Sequence, residues 1–151
     1  MSGIKLAGNT AIVTGGSRGN GRGIALTLAA AGADIAFCHY GDDERAKATV
    51  ADIEALGRKS NAAECDVSSP TAIKKFYADA VSAIGDIDIL VNNAGCNVRK
   101  PALEVTWEDW NLVLETNLRG LFFLAQAIGD DSVPRHIHIN FVINTTLQVR
   151  D

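Results

Sequence analysis

Short apolar runs alternate along the chain with longer stretches whose apolar positions recur at helical spacing, a pattern that predicts βαβ units around a parallel sheet. Residues 10–14 form the first predicted strand. Ile24, Ala25, Leu28 and Ala29 mark a helix over residues 21–31 that stops at Gly32, and residues 34–38 supply the second strand. Ala46, Val50, Ile53 and Leu56 predict a helix over about 43–56, ended by Gly57, after which residues 62–65 read as a weaker third strand. Ser69 before Pro70 has the form of an N-cap with proline at the first helical position, and Ile73, Phe76, Tyr77, Ala80 and Ile84 mark one buried face up to Gly85. Residues 87–91 make the fourth strand. Thr106 with Asp109 caps a long helix over about 107–128, in which Trp107 and Trp110 are expected to act as anchors. Its segment Leu121, Phe122, Phe123, Leu124 is apolar nearly all round and calls for cover on more than one side. A fifth strand is predicted within residues 137–143, whereas residues 144–151 carry neither a helical period nor a stop signal.

Composition narrows this to one α/β domain over residues 1–151. The chain has 47% hydrophobic and 21% charged residues, enough apolar surface for a continuous core. A net charge of -4 with interspersed signs argues against a nucleic-acid partner, which needs clustered Lys and Arg. No stretch is long and apolar enough to span a bilayer, and the first residues lack the pattern of a secretory leader, so no membrane is expected and the predicted location is cytoplasmic. Cys38, Cys65 and Cys96 lack metal-type spacing and are expected as small core side chains without a disulfide. His136 and His138 have no third ligand, so no metal site is expected. All 14 glycines lie at or before Gly129, which sets the last residues apart in texture.

The chemistry-bearing motif is the sequence Thr14-Gly15-Gly16-Ser17-Arg18-Gly19-Asn20-Gly21, placed between the first strand and the first helix. Glycines at this junction let the backbone take positive φ and come close to a pyrophosphate, whose charge the helix N-terminus attracts. Asp66-Val67 follows the third strand, Asn92-Asn93-Ala94-Gly95 follows the fourth, and Asn117 lies in the long helix. A glycine loop alone is a weak signal, but these motifs in this order are specific.

Over about residues 5–128 the chain resembles the classical short-chain dehydrogenase/reductase family, 3-oxoacyl-thioester reductases and glucose dehydrogenases among them. The resemblance implies a Rossmann-like three-layer α/β/α sandwich with strand order 3-2-1-4-5. It implies that Gly15, Ser17, Arg18, Gly19, Asn20 and Gly21 hold the cofactor pyrophosphate. Asn20 stands where the family carries an aliphatic residue. Asp66 and Val67 would meet the adenine, and Asn93, Ala94 and Gly95 would line the ribose and nicotinamide, with Asn92 supporting the sheet. Asn117 matches the residue that holds a water in the family's proton relay, or else it is a satisfied core amide. The second strand ends Phe37-Cys38-His39-Tyr40 without the carboxylate that selects a free ribose 2′-hydroxyl. Asp42 and Asp43 come later, where a helix-dipole role explains them. Arg18 matches a basic position used for the extra phosphate, so NADP(H) is expected over NAD(H).

The family's catalytic Tyr-x-x-x-Lys pair is missing. Tyr40 is followed four residues on by Glu44, and Tyr77 by Val81. Val142-Ile143-Asn144-Thr145-Thr146 is similar to the strand that ends in the family's serine, whose position falls on Thr146 or Leu147, and of the two only Thr146 offers a hydroxyl. The resemblance thus implies a cofactor-binding half of an oxidoreductase that interconverts carbonyls and secondary alcohols, truncated after the fifth strand and inactive alone. In full-length relatives the substrate is a small carbonyl or alcohol, and a homo-oligomer is expected. A catalytically silent nucleotide-binding module, or a truncated product without function, are the alternatives.

Overall fold

The computed structural model describes residues 5–132 and 138–141. Five parallel strands form one sheet in the order β3-β2-β1-β4-β5, the order that the family resemblance implies. The strands are β1 (Thr10–Thr14), β2 (Asp34–His39), β3 (Ser60–Glu64), β4 (Ile89–Asn92) and β5 (His138–Phe141). In register, Ile12 lies beside Ala36 on one side and Leu90 on the other.

The core is split by the sheet, and the period of two along each strand decides which half a residue joins. Ala11, Val13, Ile35 and Phe37 belong to one buried cluster, together with Ala25 and Ala29 of α1 (Gly19–Ala30) and Ala46 and Ile53 of α2 (Asp43–Ala55). Ile12, Ala36, Cys38 and Leu90 belong to the other, with Ile73, Phe76 and Ala80 of α3 (Pro70–Ile84) and Leu121, Leu124 and Ile128 of α5 (Leu121–Ser132). Helices on both faces of a parallel sheet make the three-layer arrangement.

Local signals set the helix ends. Ser69 accepts a hydrogen bond from the Ala72 N–H at the start of α3, with Pro70 in the first turn. Gly32, at φ 109°, releases the chain from α1 into β2, in a conformation that side-chain-bearing residues avoid. Thr106 and Asp109 form the anticipated reciprocal box at the start of α4 (Trp107–Leu114).

Three expectations change. The third strand runs over Ser60–Glu64, so its start is polar, and Cys65 follows the strand. The long helix is interrupted between α4 and α5 by a π-helical segment, Glu115–Gly120. Trp107 and Trp110 do not anchor it: they are 77% and 53% exposed, because the buried stripe passes through Asn117, Gly120, Leu121 and Leu124 instead. Phe122 and Phe123 are also about half exposed and meet edge to face. Residues 136, 142–151 and the side chain of His138 lie outside what the structure describes.

Candidate functional site

The C-terminal ends of β1 and β4 meet, and the loops that leave them form the candidate site. Beyond Thr14 the chain turns through Gly15 at φ 69° and enters α1 at Gly19, φ 53°. A Cβ on Gly21 would overlap the Gly15 carbonyl oxygen, so the first turn of α1 presses directly on the loop backbone. The Gly16 N–H donates to the Cys38 carbonyl at 3.0 Å, and a Cβ there would stand 2.5 Å from that of Phe37. At the N-cap of α1, Arg18 is extended, no side chain supplies a capping hydrogen bond, and the first turn holds no acid. The positive end of α1 is therefore left to an anion from outside the helix.

Thr14 ties this loop to the one after β4. Its Oγ1 accepts hydrogen bonds from the N–H groups of Asn93 and Ala94, both at 2.9 Å. Asn93 returns the link, its Nδ2 donating to the carbonyls of Thr14 at 3.0 Å and Gly15 at 3.3 Å. Asn92 is fully buried and its Nδ2 approaches the Leu121 carbonyl at 3.5 Å. Four hydrogen bonds to two residues hold both loop entrances in one arrangement.

The π-helical segment places Asn117 against the far end of the same loop. Its Oδ1 accepts from the Cys96 N–H at 2.7 Å and its Nδ2 donates to the Cys96 carbonyl at 2.9 Å. Both polar atoms of the Asn117 side chain are thereby paired, and the side chain sets the backbone just past Gly95. Gly120 lets this helix close on Val67, since a Cβ there would overlap the Val67 carbonyl oxygen. Asp66 builds the turn before α3, its Oδ1 accepting from Ser68 N–H at 2.9 Å and Ser68 Oγ at 2.7 Å.

At the outer end of the site, Ser17 is 4% exposed and its Oγ donates to Asp42 Oδ2 at 3.0 Å. Arg18 Nε and Arg45 Nη1 each stand 3.9 Å from that same oxygen. Asp42 occupies the N-cap position of α2 without capping it, so its carboxylate serves the glycine loop as well as the helix end to which sequence reasoning assigned it. Asn20 is exposed. Thr146 lies outside the described residues. The tie made by Thr14 and the close approach at Gly120 escaped the sequence reading: a polar strand end and a glycine inside a helical pattern were the available signals.

The family model described as short chain dehydrogenase matches residues 9–136. The chain is a member of that family. A curated relative, the 3-oxoacyl-[acyl-carrier-protein] reductase of Staphylococcus epidermidis, is 38% identical over 119 residues, 79% of this chain and 49% of the relative. Among solved structures, a short chain dehydrogenase from Burkholderia cenocepacia in complex with NADP is 41% identical with a TM-score of 0.81, over 88% of this chain and 52% of that one. A 7α-hydroxysteroid dehydrogenase complexed with NADH and 7-oxo glycochenodeoxycholic acid is 34% identical with a TM-score of 0.80, over 85% and 50%. The chain spans about half the length of the curated relatives it matches. Its glycine cradle, which a Cβ at Gly21 would fill, and its uncapped α1 terminus fit the pyrophosphate of a nicotinamide dinucleotide. Among the described residues, no helix is long and apolar enough to cross a membrane.

Proposed function

We propose that this chain is the dinucleotide-binding half of a reductase that interconverts carbonyls and secondary alcohols, with NADP(H) preferred over NAD(H). The observation that carries the reading is the close approach of Gly21 to the Gly15 carbonyl beneath an uncapped helix N-terminus. Such a cradle gives backbone donors and the helix dipole to a diphosphate and leaves no room for a side chain at Gly21.

In this reading Gly15, Ser17, Arg18, Gly19, Asn20 and Gly21 surround the pyrophosphate, Asp66 and Val67 border the adenine, and Asn93, Ala94 and Gly95 border the ribose and nicotinamide. The nicotinamide ring, when bound, supplies the hydride acceptor or donor. Asn117 acts through Cys96, fixing the strip of backbone that faces the ring. Thr146 is the proposed substrate-facing hydroxyl. A proton partner for the substrate oxygen is not among these residues, since neither tyrosine has a lysine four positions on. Turnover is therefore expected only when that pair is supplied.

The NADP(H) preference rests on the absence of a carboxylate at the end of β2, where His39 stands, and on the cationic Arg18 in the loop. The side chains of Trp107, Trp110, Leu118, Phe122 and Phe123 are about half exposed or more, which supports a homo-oligomer in which this face is covered. The same reading makes it a cytoplasmic protein that takes small carbonyl or alcohol substrates.

Titration with NADPH and with NADH, followed by nicotinamide fluorescence and by thermal stability, tests the proposal. NADPH is expected to raise the melting temperature more than NADH, with no turnover of a carbonyl panel. Absence of binding by either nucleotide overturns the reading. Carbonyl reduction by these residues alone overturns the claim of inactivity.

A further inference from the structure

The sheet ends at β3, and only the inner side of that strand is paired. The Lys59 carbonyl accepts from Ile35 N–H at 2.9 Å and Cys65 N–H donates to the His39 carbonyl at 2.8 Å, with an unbroken register from Ser60 to Glu64 between them. The N–H and C=O of one residue point to the same side of a strand, and the sides alternate along it. Residues 59, 61, 63 and 65 therefore face β2, and Ser60, Ala62 and Glu64 turn their backbone groups outward. No strand meets them among the described residues, where β3 adjoins β2 alone. Edge strands are ordinarily protected by a proline, a bulge or an inward-pointing charge. Residues 60–63 are Ser, Asn, Ala and Ala in regular register and have none of these. The charges stand at the ends instead: Lys59 and Glu64 are exposed, and neither side chain enters an ion pair among the described residues.

We propose that this edge is an interaction surface for a second copy of the chain, with β3 pairing antiparallel to its counterpart about a twofold axis through Ala62. Backbone geometry selects the register. With Ala62 opposite Ala62 of the second copy, Ser60 stands opposite Glu64 and Glu64 opposite Ser60, so each opposed pair exchanges two hydrogen bonds and every outward N–H and C=O of the three residues finds a complement. Moving the register by two positions leaves Ser60 or Glu64 outside the ladder. Charge selects the direction. Antiparallel pairing brings the cationic start of each strand, Arg58 and Lys59, beside Glu64 at the end of the other, whereas parallel pairing sets like charges side by side. A twofold contact of this kind uses the same patch on both copies and closes on itself. It lies at the opposite end of the sheet from β5 and uses none of the exposed aromatic side chains of α4 and α5. The inference stands apart from the dinucleotide reading.

Sedimentation velocity over a concentration series, with Ala62→Pro and Glu64→Lys beside the native chain, tests the pairing. Proline removes the outward N–H of Ala62 and sets its ring in the path of the partner strand, while the bonds from β3 to β2 do not use that N–H. The native chain is expected to form a dimer that grows with concentration. Ala62→Pro should weaken it at least about tenfold, and Glu64→Lys about threefold, with melting temperatures close to the native value. Cross-linking reads the register. In a Cys96→Ser background, Ala62→Cys should be joined to its own copy by a short bis-maleimide, whereas Ser60→Cys should not, because the two copies of residue 60 stand four positions, about 13 Å, apart along the paired strands. A native chain that stays monomeric, association that Ala62→Pro and Glu64→Lys leave unchanged, or equal linking at positions 60 and 62 overturns the proposal. Should Ala62→Pro fail to fold, the Glu64→Lys and cross-linking results decide.

Discussion

Asn117 grips both backbone polar groups of Cys96, accepting from its N–H at 2.7 Å and donating to its carbonyl at 2.9 Å. A helix side chain thereby fixes a loop 21 residues away in sequence. Replacing it with alanine leaves two backbone groups without their partner, one of them a donor on a half-buried loop, at a cost of about 1–3 kcal/mol. Asn117→Ala is expected to lower the melting temperature and weaken dinucleotide binding, with Asn117→Asp retaining only the N–H half of the grip. Calorimetric unfolding together with NADPH titration checks this; unchanged values for both would show that the loop holds its shape without the amide.

Much of this arrangement was legible in the residues. The short apolar runs predicted the strands of a parallel sheet, and the Ser69-Pro70 and Thr106-Asp109 signals placed helix starts because capping depends on local spacing alone. The glycine loop could be read because positive φ and absent Cβ atoms are properties of glycine itself. Other features depended on contacts between distant segments. Thr14 carries no motif until β4 is laid beside β1, and Asp42 looks like a helix cap until α2 is packed next to the glycine loop. The π-helical turn has no period of its own in a chain pattern that reads as one continuous helix. Trp107 and Trp110 were misassigned because size alone suggested burial, while the helix rotates them outward.

Gly21 tests the cradle. Any side chain there meets the backbone oxygen of Gly15, which belongs to no flexible group and can yield only if the loop moves. Gly21→Ala should cost about 1–3 kcal/mol through overpacking and open the loop, so dinucleotide affinity should fall roughly tenfold to a hundredfold. Gly23→Ala serves as the comparison, since nothing lies near a Cβ at that position of the same helix. Equal affinities in the two variants would separate the cradle from binding.

Thr14 supplies one oxygen to two N–H groups at the joint between the loops. Thr14→Val preserves shape and removes that acceptor, leaving the amides of Asn93 and Ala94 unpaired where Thr14 is fully buried. The expected loss is about 2–3 kcal/mol, because an unsatisfied donor in the interior costs more than the hydrogen bond itself contributed. Thr14→Ser restores the acceptor and should recover most of the stability. Denaturant unfolding of the three proteins decides whether the hydroxyl or the methyl group matters.

The cysteines should differ sharply in reactivity. A hydrogen bond with Cys65, together with burial, pushes the Cys38 thiol well above its ordinary pKa, so little reactive thiolate forms there at neutral pH. Cys65 is also buried, whereas Cys96 is partly exposed on the loop beside Asn117. A disulfide-exchange reagent on the native protein is expected to label Cys96 first and Cys38 only on unfolding, with rates at least about tenfold apart. Bound dinucleotide should slow labelling of Cys96 if that loop borders the nicotinamide. Mass mapping of the labelled peptides gives the order, and early modification of Cys38 would contradict the buried pair.

The start of α4 should respond to acid. A hydrogen bond from Lys100 at 2.6 Å, together with the Thr106 N–H, holds the Asp109 carboxyl below its ordinary pKa, and Glu108 is lowered by its own N–H and by the Thr106 side chain. Both groups bind their protons less tightly folded than unfolded. Their contribution is therefore complete above the unfolded carboxylate pKa, near 4, and is lost as the pH falls through the lower folded values. Asp109→Asn removes the larger set of contacts and should flatten this part of the curve, with the variant less stable at neutral pH and closer to the native protein near pH 3. Melting temperatures of both proteins between about pH 6 and pH 3 measure the difference, and parallel curves would show that the Lys100 bond does not persist in solution.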